Sequence, residues 1–279
     1  MVAIDPRINA FRPGIAAAHL KGKVDAQKFV EGVRHDVIEP NTAVRTGASH
    51  WARQGTEALM GETFVVYERN EEGWAWGQLE TDNYVGWISG NALAPSAAAA
   101  THKVSVPRTL CFPGPDIKLP VAAALPMGAR VVVARQDERF AITANDLYVP
   151  VVHLAPLKAT ETDFVSVAEQ FLNTPYLWGG KTSLGLDCSG LVQVALQACG
   201  VACPRDSDMQ EMALGKLSSL TNPRRGDLVF WKGHVAIARD GDTLLHANAH
   251  HMMVASEPLR GAIARIKAAG SEVTSVRRL

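Results

Sequence analysis

The chain has 279 residues, 47% of them hydrophobic, with 28 basic and 28 acidic side chains and a formal net charge of zero. That length suits one to three domains with apolar cores, and the charge balance excludes the basic footprint of a general nucleic-acid binder. Four cysteines are too few and too unevenly placed for a disulfide scaffold, and no apolar run reaches membrane-spanning length.

The opening "MVAIDPRINAFRPG" is interrupted by Asp5, Pro6, Arg7 and Arg12, so it lacks the continuous apolar stretch of an export signal, and the expectation is a cytoplasmic protein. Residues 1–32 read as an arm, with "IAAAHLKGKVDAQKFVEG" forming a short helix or wrapping over another domain. Residues 33–95 read as all-β, with strands at "ETFVVYER", "WAWGQL" and "YVGWIS" separated by the turns "NEEG" and "ETDN". Trp74, Trp76 and Trp87 of this small barrel either fill its core or line a groove, and the usual burial of tryptophan favours the core.

After the small-residue linker "APSAAAATHK" the pattern returns in weaker form over residues 104–157. "LMGETFVV" aligns with "PMGARVVV" and "YVGWIS" with "YVPVVH", so two small β barrels in tandem are expected, the second without the tryptophans of the first.

Residues 158–279 change texture. "TDFVSVAEQFL" has helical spacing, with Thr160 or Thr162 placed to cap it. "LVQVALQACG" is a second helix ending at Gly200, and "SDMQEMALG" a third. The β signals "GDLVFW", "HVAIAR" and "TLLHAN" follow, which gives an α+β domain with helices first and an antiparallel sheet after.

The chemistry concentrates at "LDCSGL". With Asp187 as N-cap, Cys188 falls in the first turn of the second helix, where unpaired N–H groups and the positive end of the helix favour a thiolate and can meet an oxyanion. Ser189 and Gly190 are small enough to let a substrate carbonyl approach. The bland alternative is a small apolar side chain sealing the helix top. A cysteine nucleophile needs an imidazole, and His234 and His246 flank a hairpin turn at "DGD". A turn centred near Asp240 or Gly241 puts both rings on one face of the sheet, opposite or diagonal to each other. His234 is then the base and His246 the group that orients it. Tyr176 either reaches over the nucleophile or packs locally, and Asp206 or Ser207 either caps the third helix or, for Asp206, takes a ligand's ammonium group. His250 and His251 lack the spacing of a zinc set, so no metal and no cofactor is expected. The Cys199–Cys203 spacing, C-x3-C, differs from the thioredoxin arrangement, and Cys111 stands alone.

In combination, "PYLWGG", "LDCSGLVQ", "PRDSDMQ", "RRGDLVFW", "GHVAIA" and "LLHAN" resemble the NlpC/P60 family of papain-like cysteine peptidases, and the two β units resemble bacterial SH3-like (SH3b) domains. The fold implied is multidomain, with two small all-β SH3-like barrels followed by an α+β papain-like NlpC/P60 domain. The resemblance implies Cys188, His234 and His246 as the catalytic set, with the Cys188 amide and the Tyr176 hydroxyl at the oxyanion. The whole arrangement resembles γ-D-glutamyl-L-diamino acid endopeptidases of cell-wall peptide recycling. That implies a murein peptide such as L-Ala-γ-D-Glu-diaminopimelate as partner, with its L-Ala amine free. Asp206 of the "RDS" signature (Arg205, Asp206, Ser207) would grip that amine, with Glu62 or Glu57 of the first β unit as a second ligand, and Asp187 and Ser189 count among the substrate-binding positions. A same-fold amidase or acyltransferase and a non-catalytic wall-peptide reader are the alternatives.

Overall fold

The computed structural model describes residues 4–279, and the chain divides at Leu157/Lys158 into two units. In the first unit a seven-stranded antiparallel sheet runs in the order Leu93–Pro95, Val33–Val37, Thr63–Arg69, Trp74–Leu79, Val85–Ser89, Asn41–Arg45, Gln54–Leu59. The three strands read from the sequence are present. The alternation in Thr63–Arg69 turns Phe64 and Val66 inward, onto Val37, Val44, Ala58, Ala75, Leu79 and Ile88.

The N-terminal arm is more ordered than its sequence suggests. Phe11–Arg12, Ile15–Ala17 and Phe29–Val30 form a small sheet, and the helical expectation reduces to one 3₁₀ turn at Ala18–Leu20. Ala10, Ile15, Ala17 and Leu20 bury Trp76, with Tyr67, Val85 and Trp87 at the margin. Arg12 lays its guanidinium 4.8 Å from the Trp76 ring centroid and 4.9 Å from that of Trp87, and it pairs with Glu68. Trp74 is also buried, so the tryptophans serve the core, and the arm lies over the aromatic face that a groove would have used.

Residues 102–156 hold three smaller sheets around Val104, Cys111, Leu125, Ala129, Val131 and Val149. Burial pushes the Cys111 thiol up to about 11, which makes it a packing group. The strand, 3₁₀ turn and strand over Val85–Ser89, Gly90–Ala92 and Leu93–Pro95 recur over Tyr148–Pro150, Val151–His153 and Leu154–Pro156, and both copies close on Leu-Ala-Pro.

In the second unit, α1 (Phe164–Glu169) is capped by Asp163, which accepts the Val165 N–H at 2.9 Å, in place of the threonines expected from the sequence. The second helix, α2 (Cys188–Ala198), ends in a Schellman arrangement: Val201 N–H donates to Leu196 O, Gly200 N–H donates to Gln197 O, and Gly200 has φ +75°. A third helix, α3 (Ser207–Ala213), is followed by a six-stranded antiparallel sheet ordered Lys216–Ser218, Val273–Arg278, Leu228–Trp231, His234–Ala238, Thr243–Asn248, Met253–Pro258. The fourth helix, α4 (Leu259–Ala268), which the sequence reading did not anticipate, covers one face of this sheet over Val229, Trp231, Ala236 and Leu244. Residues of the opposite parity, Val235, Ile237 and Leu245, are buried where α2 packs on the His234–Ala238 and Thr243–Asn248 strands. Among the described residues no helix is long and apolar enough to cross a membrane.

The stack of Arg12 on two indoles, with its carboxylate partner, should contribute about 1–2 kcal/mol. Arg12→Ala is therefore expected to lower the urea midpoint of the first unit's unfolding and to raise acrylamide quenching of tryptophan fluorescence. Unchanged quenching and an unchanged midpoint would mean that the arm does not hold this face.

Candidate active site

The site is built on one aspartate. Asp187 caps α2 by accepting the Gly190 N–H at 2.7 Å through Oδ1, and its Oδ2 accepts the Gly179 N–H at 2.7 Å. Arg205, 1% exposed, donates to both carboxylate oxygens at 2.9 and 2.8 Å, to Ser189 Oγ at 2.9 Å and to Gly180 O at 3.3 Å. Gln210 Nε2 on α3 donates to Ser189 O and Pro204 O, both at 2.9 Å. The "DCSG" glycine is required by close approach: a Cβ on Gly190 would stand 2.2 Å from Gly180 O.

Asp187, Ser189 and Arg205, read from the sequence as substrate-binding positions, are buried members of a network that fixes the start of α2. The Asp187–Arg205 pair, taken out of water, is satisfied by its own members and neighbouring amides. Through these bonds the network positions Cys188.

Cys188 occupies the first helical position, and its thiol is influenced by the backbone amides of Ser189 and Val235, which oppose the rise of its pKa. Its helix packs on the strand that begins at His234. Ile237 pairs with Leu245 and Ala238 with Leu244, which is the diagonal register of the two considered from the sequence. His234 and His246 accordingly share a face, with His234 Nε2 2.8 Å from His246 Nδ1. Trp231 packs beside His234, ring centroids 5.6 Å apart.

The relay continues past the residues found in the sequence. His246, 1% exposed, places Nε2 2.7 Å from Glu257 Oε1, and Glu257 pairs with Arg265 of α4. Glu257 sits opposite Leu244, on the same face as His246. Carrying the parity argument one strand further would have found it, but the Met253–Pro258 strand carries no strong β signal of its own.

Burial dominates the electrostatics. It pushes the Cys188 thiol up to about 12, with the adjacent Asp187 charge adding to the effect, and it pushes His234 down to about 3, helped by His246 and Arg265. Desolvation thus opposes the thiolate expected from the helix position and favours the neutral thiol and neutral imidazole. Burial also lowers His246, against the opposing pull of Glu257. Tyr176 is held beside the site by its N–H to Met252 O at 2.9 Å and by bridging to Leu186. Burial first, then Cys188 and Asp187, raise its phenol to about 12, so it remains a hydroxyl donor.

Asp206 is the N-cap residue of α3, yet its side chain makes no capping hydrogen bond, and it is partly exposed, while Ser207 beside it is buried. In the first unit, Glu57 accepts from Asn41 Nδ2 at 2.6 Å, and Glu62 accepts the Leu59 N–H at 2.8 Å; both are buried. His251 Nδ1 lies 3.0 Å from Asn248 Oδ1, and His250 stacks edge-on against His251.

Comparison with known proteins adds relatives to this geometry. Residues 173–269 match the model of the NlpC/P60 family, and residues 44–93 match that of the bacterial dipeptidyl-peptidase Sh3 domain. The chain is similar to the γ-D-glutamyl-L-lysine dipeptidyl-peptidase of Bacillus subtilis, 28% identical over 218 residues, which cover 69% of this chain and 71% of that protein. It is also similar to dipeptidyl-peptidase 6 of Lysinibacillus sphaericus, 38% identical over 90 residues but spanning only 33% of that protein's length. A crystal structure of an NlpC/P60 family protein from Bacillus cereus shares the fold with TM-score 0.74, covering 88% of this chain and 99% of that one at 18% identity.

Two measurements check this account of the site. Arg205→Met leaves a buried carboxylate without its cation and should cost about 3–5 kcal/mol of the second unit's stability in urea unfolding. Iodoacetamide labelling of Cys188, followed by peptide mass spectrometry without substrate, should be slow at pH 7 and climb steadily through pH 10. A plateau between pH 5 and 8 would instead indicate a resting thiolate–imidazolium pair.

Proposed function

We propose that this chain, which carries an NlpC/P60 domain together with a bacterial SH3 domain, is a cysteine peptidase that cleaves the γ-D-glutamyl–diamino acid bond of peptidoglycan-derived peptides. The observation that carries the reading is Cys188 at the start of α2, the helix that packs on the His234–Ala238 strand, together with the hydrogen-bonded pair His234–His246. In the reaction His234 takes the thiol proton as the sulfur attacks the amide carbonyl carbon. The tetrahedral oxyanion forms near the Cys188 amide and the Tyr176 hydroxyl. The proton on His234 passes to the departing amine as the C–N bond breaks, leaving a thioester. Water, deprotonated by His234, attacks the thioester and releases the acid and the thiol. Starting from neutral partners, proton transfer accompanies attack, which keeps separated charge out of the buried resting site.

The finer specificity rests on two supports. The relative in Bacillus subtilis bears a name for γ-D-glutamyl-L-lysine dipeptidyl release. Within this chain, Asp206 places a partly exposed carboxylate at the start of α3, which suits the free ammonium of an N-terminal L-Ala. A requirement for that free amine would direct the enzyme to peptides already released from the glycan, and hence to peptide recycling in the cytoplasm. We read the second β unit as a further SH3-like module, on the strength of its recurring strand, 3₁₀ turn and strand ending in Leu-Ala-Pro, and the second unit as papain-like.

With L-Ala-γ-D-Glu-diaminopimelate and its lysine counterpart as substrates, mass spectrometry should detect L-Ala-D-Glu and the free diamino acid. Cys188→Ala and His234→Ala should abolish turnover, and His246→Ala should cost less. N-acetylation of the substrate, or Asp206→Asn, should lower kcat/KM by about 30-fold or more, the loss expected from breaking a charge pair. Equal turnover of acetylated and free tripeptide would remove the free-amine specificity.

A further inference from the structure

We infer that Glu257, clamped by Arg265, is a positioning residue that fixes the tautomers of both histidines and so determines which nitrogen of His234 faces the nucleophile. The inference rests on the catalytic roles proposed above for Cys188 and His234. It follows from the donors and acceptors along one line of contacts. Glu257 is a carboxylate paired with a guanidinium, so it only accepts, and His246 must carry its proton on Nε2, 2.7 Å away. A neutral imidazole carries one such proton, so His246 Nδ1 is a lone pair. His234 Nε2, 2.8 Å from that lone pair, must then carry the proton of its own ring. The nitrogen left basic on His234 is Nδ1, the one not engaged by His246.

Each part of the fold contributes to the sequence of bonds. The diagonal register of the two central strands sets the first contact, pairing of Leu244 with Glu257 puts the carboxylate on the same face, and α4 brings Arg265 over it. His246 is almost wholly buried, so water does not compete for either of its nitrogens. Arg265 holds Glu257 in its charged, acceptor-only form; a protonated carboxyl could donate to His246 Nε2 and reverse every bond in the relay. When Cys188 delivers its proton to His234 Nδ1, the positive ring is stabilised through His246 by the Glu257 charge, and no proton needs to leave the relay.

The test is nitrogen-15 NMR of the full chain labelled at histidine, without substrate, at pH 7. Signals are assigned by their loss in His234→Gln and His246→Gln. Both rings should show protonated Nε2 and lone-pair Nδ1. Glu257→Leu should mix the tautomers of both rings and lower kcat at least about tenfold with little change in KM. Glu257→Gln, whose amide oxygen still accepts, should restore the tautomers and recover part of kcat. Should Glu257→Leu fail to fold, Arg265→Met supplies the same readout, with tautomer mixing that grows as the pH is lowered. A wild-type His234 protonated on Nδ1, or tautomers unmoved in both Glu257→Leu and Arg265→Met, would overturn the inference. The expected tautomers in a protein that cleaves no peptide would leave this relay standing and refute the proposed peptidase function instead.

Discussion

The catalytic reading depends on a single buried carboxylate. Asp187 ties together the amide of Gly179, the first turn of α2 and both terminal guanidinium nitrogens of Arg205. Without the arginine the carboxylate would be an uncompensated charge in the interior; without the carboxylate the arginine would be. Each makes burial of the other tolerable, and the amides and Ser189 satisfy what remains. Cys188 is the next residue, so the network's rigidity is passed to the sulfur. Gly190 lets the Gly180 carbonyl approach closely enough to close the network, which explains a glycine inside a helix where it carries a conformational cost.

Against that fixed point the sheet presents its histidines. Packing joins α2 to the His234–Ala238 strand, and antiparallel pairing carries the line of polar groups sideways, from His234 to His246 to Glu257. Such a line would be costly in an apolar interior if any member lacked a partner. Here it is anchored at the far end by Arg265, itself partly exposed, so the buried portion ends on an ion pair at the edge. The low dielectric that disfavours charge on Cys188 and His234 also strengthens each hydrogen bond in the line.

The first unit shows a different use of aromatic residues. In an SH3-like barrel an exposed tryptophan face would suggest a peptide groove. Here the arm supplies Ala10, Ile15, Ala17 and Leu20 to that face, and Arg12 covers the two indoles. The arm's own sequence is irregular and proline-interrupted, and its order comes from the surface it covers.

Local chemistry was legible in the linear sequence. Period-two alternation located the strands around Phe64, Trp76 and Trp87, and Gly200 marked the end of α2, because these depend on neighbours within a few residues. Asp187, Cys188 and Gly190 identified a helix start with a nucleophile, and the even-numbered hairpin around "DGD" put His234 and His246 on one face. The capping of α1 by Asp163, the ordering of the arm and the presence of α4 depended on contacts that no short window contains. The same holds for the protonation of the site. A helix start lowers a thiol's pKa when the group is solvated, whereas tertiary burial pushes it the other way. The partner that completes Arg205 lies 18 residues away along the chain, Glu257 lies 11 from His246, and Arg265 lies a further 8 beyond Glu257. Sequence determined which chemical groups were available and on which side of each element they lie. Only tertiary structure decided which of them share an interior, since charge, proton position and hydrogen-bond direction there depend on the removal of water.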